Sequence, residues 1–359
     1  MEAPRRRAAG LSGSRTISAL RPFTLIAKLI ELSGGTPHAD IAKEIVSAAM
    51  RLVEDHASRG DFKIVSAALK ELRYAFKVFS PYRHVRKVTI FGSARMQPTD
   101  PAYRQALNFA RRIAQEGFMV ITGAGPGIMQ AGHEGAGREM SFGVNIRLPF
   151  EQIANPVIHD DPKLINFKYF FTRKLCFVKE SSAIVLFPGG FGTHDEGFEA
   201  LTLMQTGKGV LMPLIYLEPP GQTYWDEWEA YVERQLLKRG MISPDDRNLY
   251  SVTEDLERAV REIKTFYSTY HSMRYVREYL VLRIQRRLPE QRIRELTEEF
   301  RPILAAGGIE QREPFPEEAN EPEISHLPRL VLRFDRHHYG LLRALVDRVN
   351  GWDRHSEMA

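Results

Sequence analysis

Two hydrophobic rhythms divide the chain. Between about residues 38 and 80, apolar side chains recur at helical spacing: Ile41, Ile45, Ala48, Ala49 and Leu52, then Phe62, Val65, Ala68, Leu69, Leu72 and Phe76. The spacing predicts two amphipathic helices, broken at Gly60 and ended by Pro81. From about residue 86 short β-branched runs alternate with helical stretches. Residues 88–91, 119–122, 143–148, 183–187 and 210–217 read as strands. Helices are expected near 101–116, 127–139, 163–180, 196–206, 223–238 and 253–267. Such alternation predicts an α/β fold with a doubly wound parallel sheet. The unbroken apolar run Ala183-Ile184-Val185-Leu186-Phe187 suits a strand covered on both faces.

Beyond residue 268 the pattern changes to a repeat. Leu280-Val281-Leu282-Arg283-Ile284-Gln285-Arg286 matches Leu330-Val331-Leu332-Arg333-Phe334-Asp335-Arg336. A helical spacing follows each, Ile293, Leu296 and Phe300 in one, Leu342, Leu345 and Val349 in the other. The unit is a strand and then a helix, used twice, and two units could pair as a small α+β appendage. A packing or dimerisation role and a regulatory ligand module both fit it. Residues 313–323 between them, with Pro314, Pro316 and Pro322, read as a linker. The expected organisation is a loosely ordered basic tail over 1–37, a helical extension over 38–84, a nucleotide-binding domain over 85–268 and the repeat module over 269–359.

Charge and composition narrow the function classes. The 359 residues are 43% hydrophobic and 26% charged, enough to bury a sizeable core. No run approaches the roughly 18 apolar residues of a membrane span. The single Cys176 excludes a disulfide scaffold and a multi-cysteine metal cluster, and fits a cytoplasmic setting. The net charge is +5, but residues 1–22 hold +4 of it through five arginines against Glu2. The excess is therefore a property of the tail, and a nucleic-acid partner is not expected. The tail also lacks the apolar core of a secretory signal.

Three glycine-rich turns stand between predicted strands and helices, where open α/β sheets bind ligands. The first is Gly92-Ser93. The second is Gly123-Ala124-Gly125-Pro126-Gly127-Ile128-Met129, whose glycines allow an anion close to free helix N–H groups. It is neither a dinucleotide fingerprint, which needs glycine at Ile128, nor a Walker A loop, which needs Gly-Lys-Ser/Thr. A tight turn serving only helix–strand packing is the alternative. The third is Pro188-Gly189-Gly190-Phe191-Gly192-Thr193-His194-Asp195-Glu196, where the glycines can form a nest of N–H groups for a phosphate. Thr193 and Glu196 also fit a capping box, with Thr193 as N-cap and Glu196 in the first helical turn. A carboxylate there is favoured in its ionised form, suiting a base or cation stabiliser. Upstream, Arg173 and Lys174 read either as part of a solvated basic face or as a clamp for an anionic substrate.

Taken together, these motifs resemble the Lonely Guy (LOG) family of phosphoribohydrolases over about residues 86–265, in its longer bacterial branch with N- and C-terminal extensions. The resemblance implies a Rossmann-like fold and a homodimer or higher homo-oligomer. It also implies hydrolysis of nucleoside 5′-monophosphates, such as AMP or cytokinin riboside monophosphates, to free base and ribose 5-phosphate. It assigns the catalytic roles to Arg173 and Glu196. Phosphate and substrate contacts fall to Gly92, Ser93, Gly123, Gly125, Gly127, Met129, Lys174, Gly189, Gly190, Gly192 and Thr193. No cofactor and no metal are expected, and His337-His338 reads as a surface pair. Two departures stand out: Ala124 interrupts what is often a run of three glycines, and His194-Asp195 replaces a more usual Leu-Glu-like pair. Older labels call such sequences lysine decarboxylases, but no distinct pyridoxal-phosphate lysine context is present. Whether Arg173 acts on the phosphate or the departing base stays open, as does a non-catalytic nucleotide sensor of the same fold.

Overall fold

The computed structural model describes residues 22–147 and 154–351, and the chain divides into two compact units at the Leu69/Lys70 boundary. The first unit holds helices α1 (Pro22–Leu32), α2 (Ala39–Glu54) and the start of α3 (Arg59–Phe79). Helix α1 lies within the stretch expected to be loosely ordered. Leu25, Ile26, Leu29 and Ile30 give it an apolar spacing that the arginine-rich residues before it obscure. Residues 1–21, which carry most of the tail's charge, lie outside the described residues. The break between α2 and α3 precedes Gly60. Ser58 caps α3 reciprocally with Asp61 (2.9 and 3.2 Å), so Gly60 falls inside the first turn.

The second unit is built on a seven-stranded, wholly parallel sheet: β1 (Lys87–Phe91), β2 (Met119–Thr122), β3 (Ser141–Ile146), β4 (Leu164–Phe167), β5 (Ala183–Leu186), β6 (Leu214–Leu217) and β7 (Ser251–Thr253). Its strand order is β4-β3-β2-β1-β5-β6-β7. Helices α4 (Pro101–Gln115), α5 (Ile128–Ala136), α6 (Phe170–Glu180), α7 (Phe191–Gln205), α8 (Tyr224–Tyr231) and α9 (Leu256–Phe266) connect the strands. Successive strand residues feed opposite layers. Val88, Ile90, Val120 and Val185 join Phe109, Ile113 and Ile263 on one face. Phe91, Ile121, Ile184 and Leu186 join Phe142, Phe177 and Tyr216 on the other. The fold is therefore the Rossmann-like, doubly wound class expected from the alternation.

Three expectations need correction or extension. Residues 163–180 are not one helix. Residues 164–167 form strand β4, and the helix starts only at Phe170, because the apolar side chains there alternate (Ile165 and Phe167 buried) before the helical period begins. The two C-terminal strand–helix units do pair, but as part of a larger sheet than their two strands. Strands β8 (Tyr270–Val276), β9 (Tyr279–Ile284), β10 (Leu304–Arg312) and β11 (Arg329–Phe334) make one antiparallel sheet in the order β10-β11-β9-β8, with α10 (Glu290–Glu299) and α11 (Tyr339–Val349). The repeated segments pair directly, Leu330 opposite Leu282 and Val331 opposite Val281. Finally, residues 313–323 are packed rather than loose. Glu318, 2% exposed, accepts hydrogen bonds from Arg283 (3.0 Å) and Arg329 (3.3 Å). This second sheet shares the core of the first, Leu280, Leu282, Leu330 and Leu342 clustering with Met204, Leu214 and Phe266.

Candidate active site

Strands β1, β2 and β5 end on one cavity of about 720 Å³. Their neighbours run outwards in opposite directions from β1 and β5, so the cavity sits where the order of connection reverses. Phe91 at the end of β1 with residues 92–95 after it, Gly123 after β2 and residues 189–193 after β5 line it. Met129, Phe170, Arg173, His194, Asp195, Glu196 and Tyr224 contribute from the helices.

The third glycine turn becomes the N-terminus of α7. Gly190 is its N-cap residue, with no side-chain cap, and Phe191 is the first helical residue. The amides of Thr193 and His194 turn back to the Gly190 carbonyl at 3.0 and 3.3 Å. Those of Gly190, Phe191 and Gly192 belong to the turn that has no intrahelical acceptor. Gly189 is sterically required, since a methyl group there would stand 2.1 Å from Thr193 Oγ1. Gly190 and Gly192 are not: a methyl group on either would meet no atom within 4 Å, and neither has a positive φ. Glycine at a helix start without a steric need is consistent with a ligand approaching the backbone closely. Phe191 stands 97% exposed at the same rim.

The helix start also removes the capping box. Thr193 is the third helical residue, so it cannot serve as N-cap, and Glu196 lies in the second turn. There Glu196 is only 8% exposed. Burial pushes its pKa up to about 7. Lys174 and Arg173 pull it back down, while Glu199 and Asp195 push it further up. The carboxyl is thus poised between its two forms near neutral pH, where the macrodipole alone predicted an ionised group.

Arg173 reaches the cavity from α6. Its Nε donates to the Val144 carbonyl at 2.8 Å, and its guanidinium lies 5.0 Å from the Phe177 ring centroid. A methyl group at Gly123 would come within 2.5 Å of an Arg173 nitrogen, so glycine there makes room for the cation. Burial lowers its pKa to about 10, partly offset by Glu196, and it stays protonated at neutral pH.

The second glycine turn is held from beneath. Thr122 Oγ1 accepts from the Ala124 amide at 3.0 Å, and Asn155 Nδ2 reaches the carbonyls of Ala124 and Gly125, both at 3.1 Å. His133, fully buried, lies 3.0 Å from both Thr122 Oγ1 and the Phe142 carbonyl. Burial holds its pKa down at about 4, so it is neutral. Gly127 has φ +65°, and a methyl group on it would stand 2.3 Å from the Ser93 carbonyl oxygen.

Of the residues singled out in the sequence, Gly92, Ser93, Gly123, Met129, Arg173, Gly189, Gly190, Gly192, Thr193 and Glu196 converge on the cavity. Gly125, Gly127 and Lys174 do not line it. Gly125 and Gly127 shape the second turn, and Lys174 is held by Glu199 (2.6 Å) and Asp195 (2.8 Å). Arg95, Phe170 and Tyr224 line the cavity unforeseen. Arg95 was within reach of the sequence, two residues beyond Ser93. Tyr224, some thirty residues past the motif, carried no signal. His337 and His338 are exposed, with His338 bonded to Asp335. Among the described residues no cluster of His, Cys, Asp or Glu could hold a metal ion, and no helix is long and apolar enough to cross a membrane.

Comparisons with known proteins bear on this domain. The family model described as "Possible lysine decarboxylase" matches residues 126–263. Among solved structures, the molybdenum cofactor binding protein of Rippkaea orientalis is 20% identical, with a TM-score of 0.36, and the match covers 50% of this chain and 96% of that one. TM1055 is also 20% identical at a TM-score of 0.36, over 50% of this chain and 99% of its own. The molybdenum cofactor carrier protein of Chlamydomonas reinhardtii is 18% identical at 0.33, over 50% and 96%. No curated protein matches the chain. The matched segment runs from the second glycine turn through Arg173 and the α7 loop into α9, so this part of the chain is similar to the family whose model carries the lysine decarboxylase description.

Proposed function

We propose that this site hydrolyses the N-glycosidic bond of a nucleoside 5′-monophosphate. Water adds across the C1′–N bond, its hydroxyl going to C1′ and its proton to the base, to give free base and ribose 5-phosphate. The observation that carries the reading is the pair Gly190 and Gly192 at the start of α7. They are glycines without a steric reason, one turn ahead of a buried carboxyl with a pKa of about 7. The amides of that turn receive the phosphate. Glu196 then faces the ribose, where its ionised form stabilises the positive charge that builds as the bond breaks and takes a proton from the attacking water. Arg173, fixed through Val144, supplies positive charge towards the phosphate or the departing base. A decarboxylase using pyridoxal phosphate fits less well. Such chemistry needs a lysine amine for an imine, and among the described residues no lysine lines the cavity, while Lys174 is held by carboxylates.

The test is to incubate the protein with AMP and with isopentenyladenosine monophosphate and to measure released base. Glu196→Ala should cut turnover by about 100-fold or more. Equal release by wild type and variant would overturn the assignment. Saturable AMP binding without base release would favour a nucleotide sensor instead. The homo-oligomer implied by the family belongs to the same proposal and is checked by light scattering.

A further inference from the structure

We infer that Tyr224 is a positioning residue for the phosphate cradle, acting through the carbonyl of Gly189. The inference rests on the phosphate-binding part of the function proposed above. Tyr224 belongs to none of the glycine motifs and opens α8, a helix with its own anchor. The Glu218 carboxylate, just after β6, accepts from the Tyr224 and Trp225 amides at 2.7 and 3.1 Å. The Tyr224 ring packs edge-on against Trp225, their centroids 4.7 Å apart, and Trp225 is fully buried. From this fixed base the Tyr224 hydroxyl donates to the Gly189 carbonyl.

That bond settles the rest of the chain of donors. A phenol has one hydrogen, and a carbonyl can only accept it. His194 Nε2, 2.7 Å from the Tyr224 oxygen, must therefore be the donor of their contact. The relay runs from His194 Nε2–H to the Tyr224 hydroxyl to the Gly189 carbonyl, each bond polarising the next. In a trans peptide the carbonyl and the following N–H point in opposite directions. Anchoring the Gly189 carbonyl to α8 therefore aims the Gly190 N–H away from α8. Tyr224 cannot itself donate to a phosphate oxygen while its hydrogen is committed to Gly189. Its contribution passes through the peptide it orients. Both the neutral Nε2–H tautomer and the cation of His194 donate through Nε2, so the relay is insensitive to pH.

The experiment measures binding of ribose 5-phosphate and of ribose to the full chain by calorimetry, at pH 6 and pH 8. Tyr224→Phe should weaken ribose 5-phosphate about tenfold, equally at both pH values, and leave ribose unchanged. His194→Leu should cause a smaller loss, and His194→Gln, whose amide can still donate to Tyr224, should bind like wild type. Circular dichroism checks that each variant is folded, and should Tyr224→Phe not fold, the ordering of the two His194 variants decides. Tyr224→Phe binding within twofold of wild type, a loss confined to one pH, or an equal loss for ribose would overturn the relay. A wild-type chain that binds ribose 5-phosphate yet frees no base from AMP would sink the hydrolase and leave the relay standing. A wild type that binds no ribose 5-phosphate would sink both.

Discussion

Lys174 and Glu196 face each other at 3.9 Å, but the ammonium is nearer to two other carboxylates, Glu199 at 2.6 Å and Asp195 at 2.8 Å. A cation shared three ways compensates the buried Glu196 only in part, which leaves burial to dominate its pKa of about 7. The expected consequence is a kinetic limb. If the ionised carboxyl works, kcat/KM for AMP rises with pH and levels off above about 7. Removing the cation in Lys174→Met raises the Glu196 pKa further, so the limb moves to higher pH, whereas Lys174→Arg keeps it near 7. A pH–rate profile of the three proteins checks this.

The same group sets a stability trend. The Glu196 pKa is raised from an ordinary 4.5 in the unfolded chain to about 7 in the folded one. Between those values the folded state holds the proton more tightly, so stability is fully present below pH 4.5 and falls as pH rises towards 7. Glu196→Gln keeps the shape and never ionises. Its melting temperature should match wild type at pH 4.5 and exceed it at pH 8, by a free energy on the order of 3 kcal/mol. Scanning fluorimetry at the two pH values decides it. Activity should be lost at both.

Glycines of the two loops should respond oppositely to alanine. Gly192→Ala places a methyl group where nothing lies within 4 Å. Stability should hold or improve by up to about 1 kcal/mol, while KM for AMP rises at least about tenfold if the methyl group intrudes on the phosphate. Gly127→Ala places a methyl group 2.3 Å from the Ser93 oxygen at φ +65°. It should cost about 1–3 kcal/mol of stability before any ligand is added. Denaturant titration and Michaelis kinetics on both variants separate the two effects.

Much of this was legible in the residues. The parallel sheet followed from alternating periods, because a strand buried on both faces must be apolar throughout, as 183–187 is. The cavity followed from glycines after strands, since only an open backbone brings amides to an anion. The rest depended on distance in the chain. Tyr224 meets Gly189 only because β6 lies beside β5. The start of α7 was misplaced because Thr193 and Glu196 carry the capping spacing, whereas the chain starts the helix at Phe191 and gives those amides no side-chain partner. The Glu196 pKa could not be read from its place on a helix, because burial is a property of the assembled layers.

Arg173 should not tolerate lysine. Its Nε bond to Val144 fixes the guanidinium plane, leaving the remaining nitrogens to the cavity beside Gly123. A lysine has one nitrogen and cannot both bond Val144 and reach the substrate. Arg173→Lys should lower kcat/KM for AMP by about 100-fold with little change in melting temperature. Retention of wild-type kinetics would show that any positive charge suffices there.

Arg343 tests what holds the second sheet's helix to the first. The side chain is fully buried on α11. It donates to Glu262 of α9 at 3.0 Å, to Asp347 at 3.1 Å and to the Met212 carbonyl at 2.9 Å. Its sequence context, between Leu342 and Leu345, marks a core face of α11, where a charge is tolerated only with partners. Arg343→Ala leaves two buried carboxylates without it and should cost about 3–5 kcal/mol. Adding Glu262→Gln should recover part of that, because one of the two buried carboxylate charges is then gone. Urea unfolding of the single and double variants measures both. A double variant no more stable than Arg343→Ala would show that the cost does not lie in the Glu262 charge.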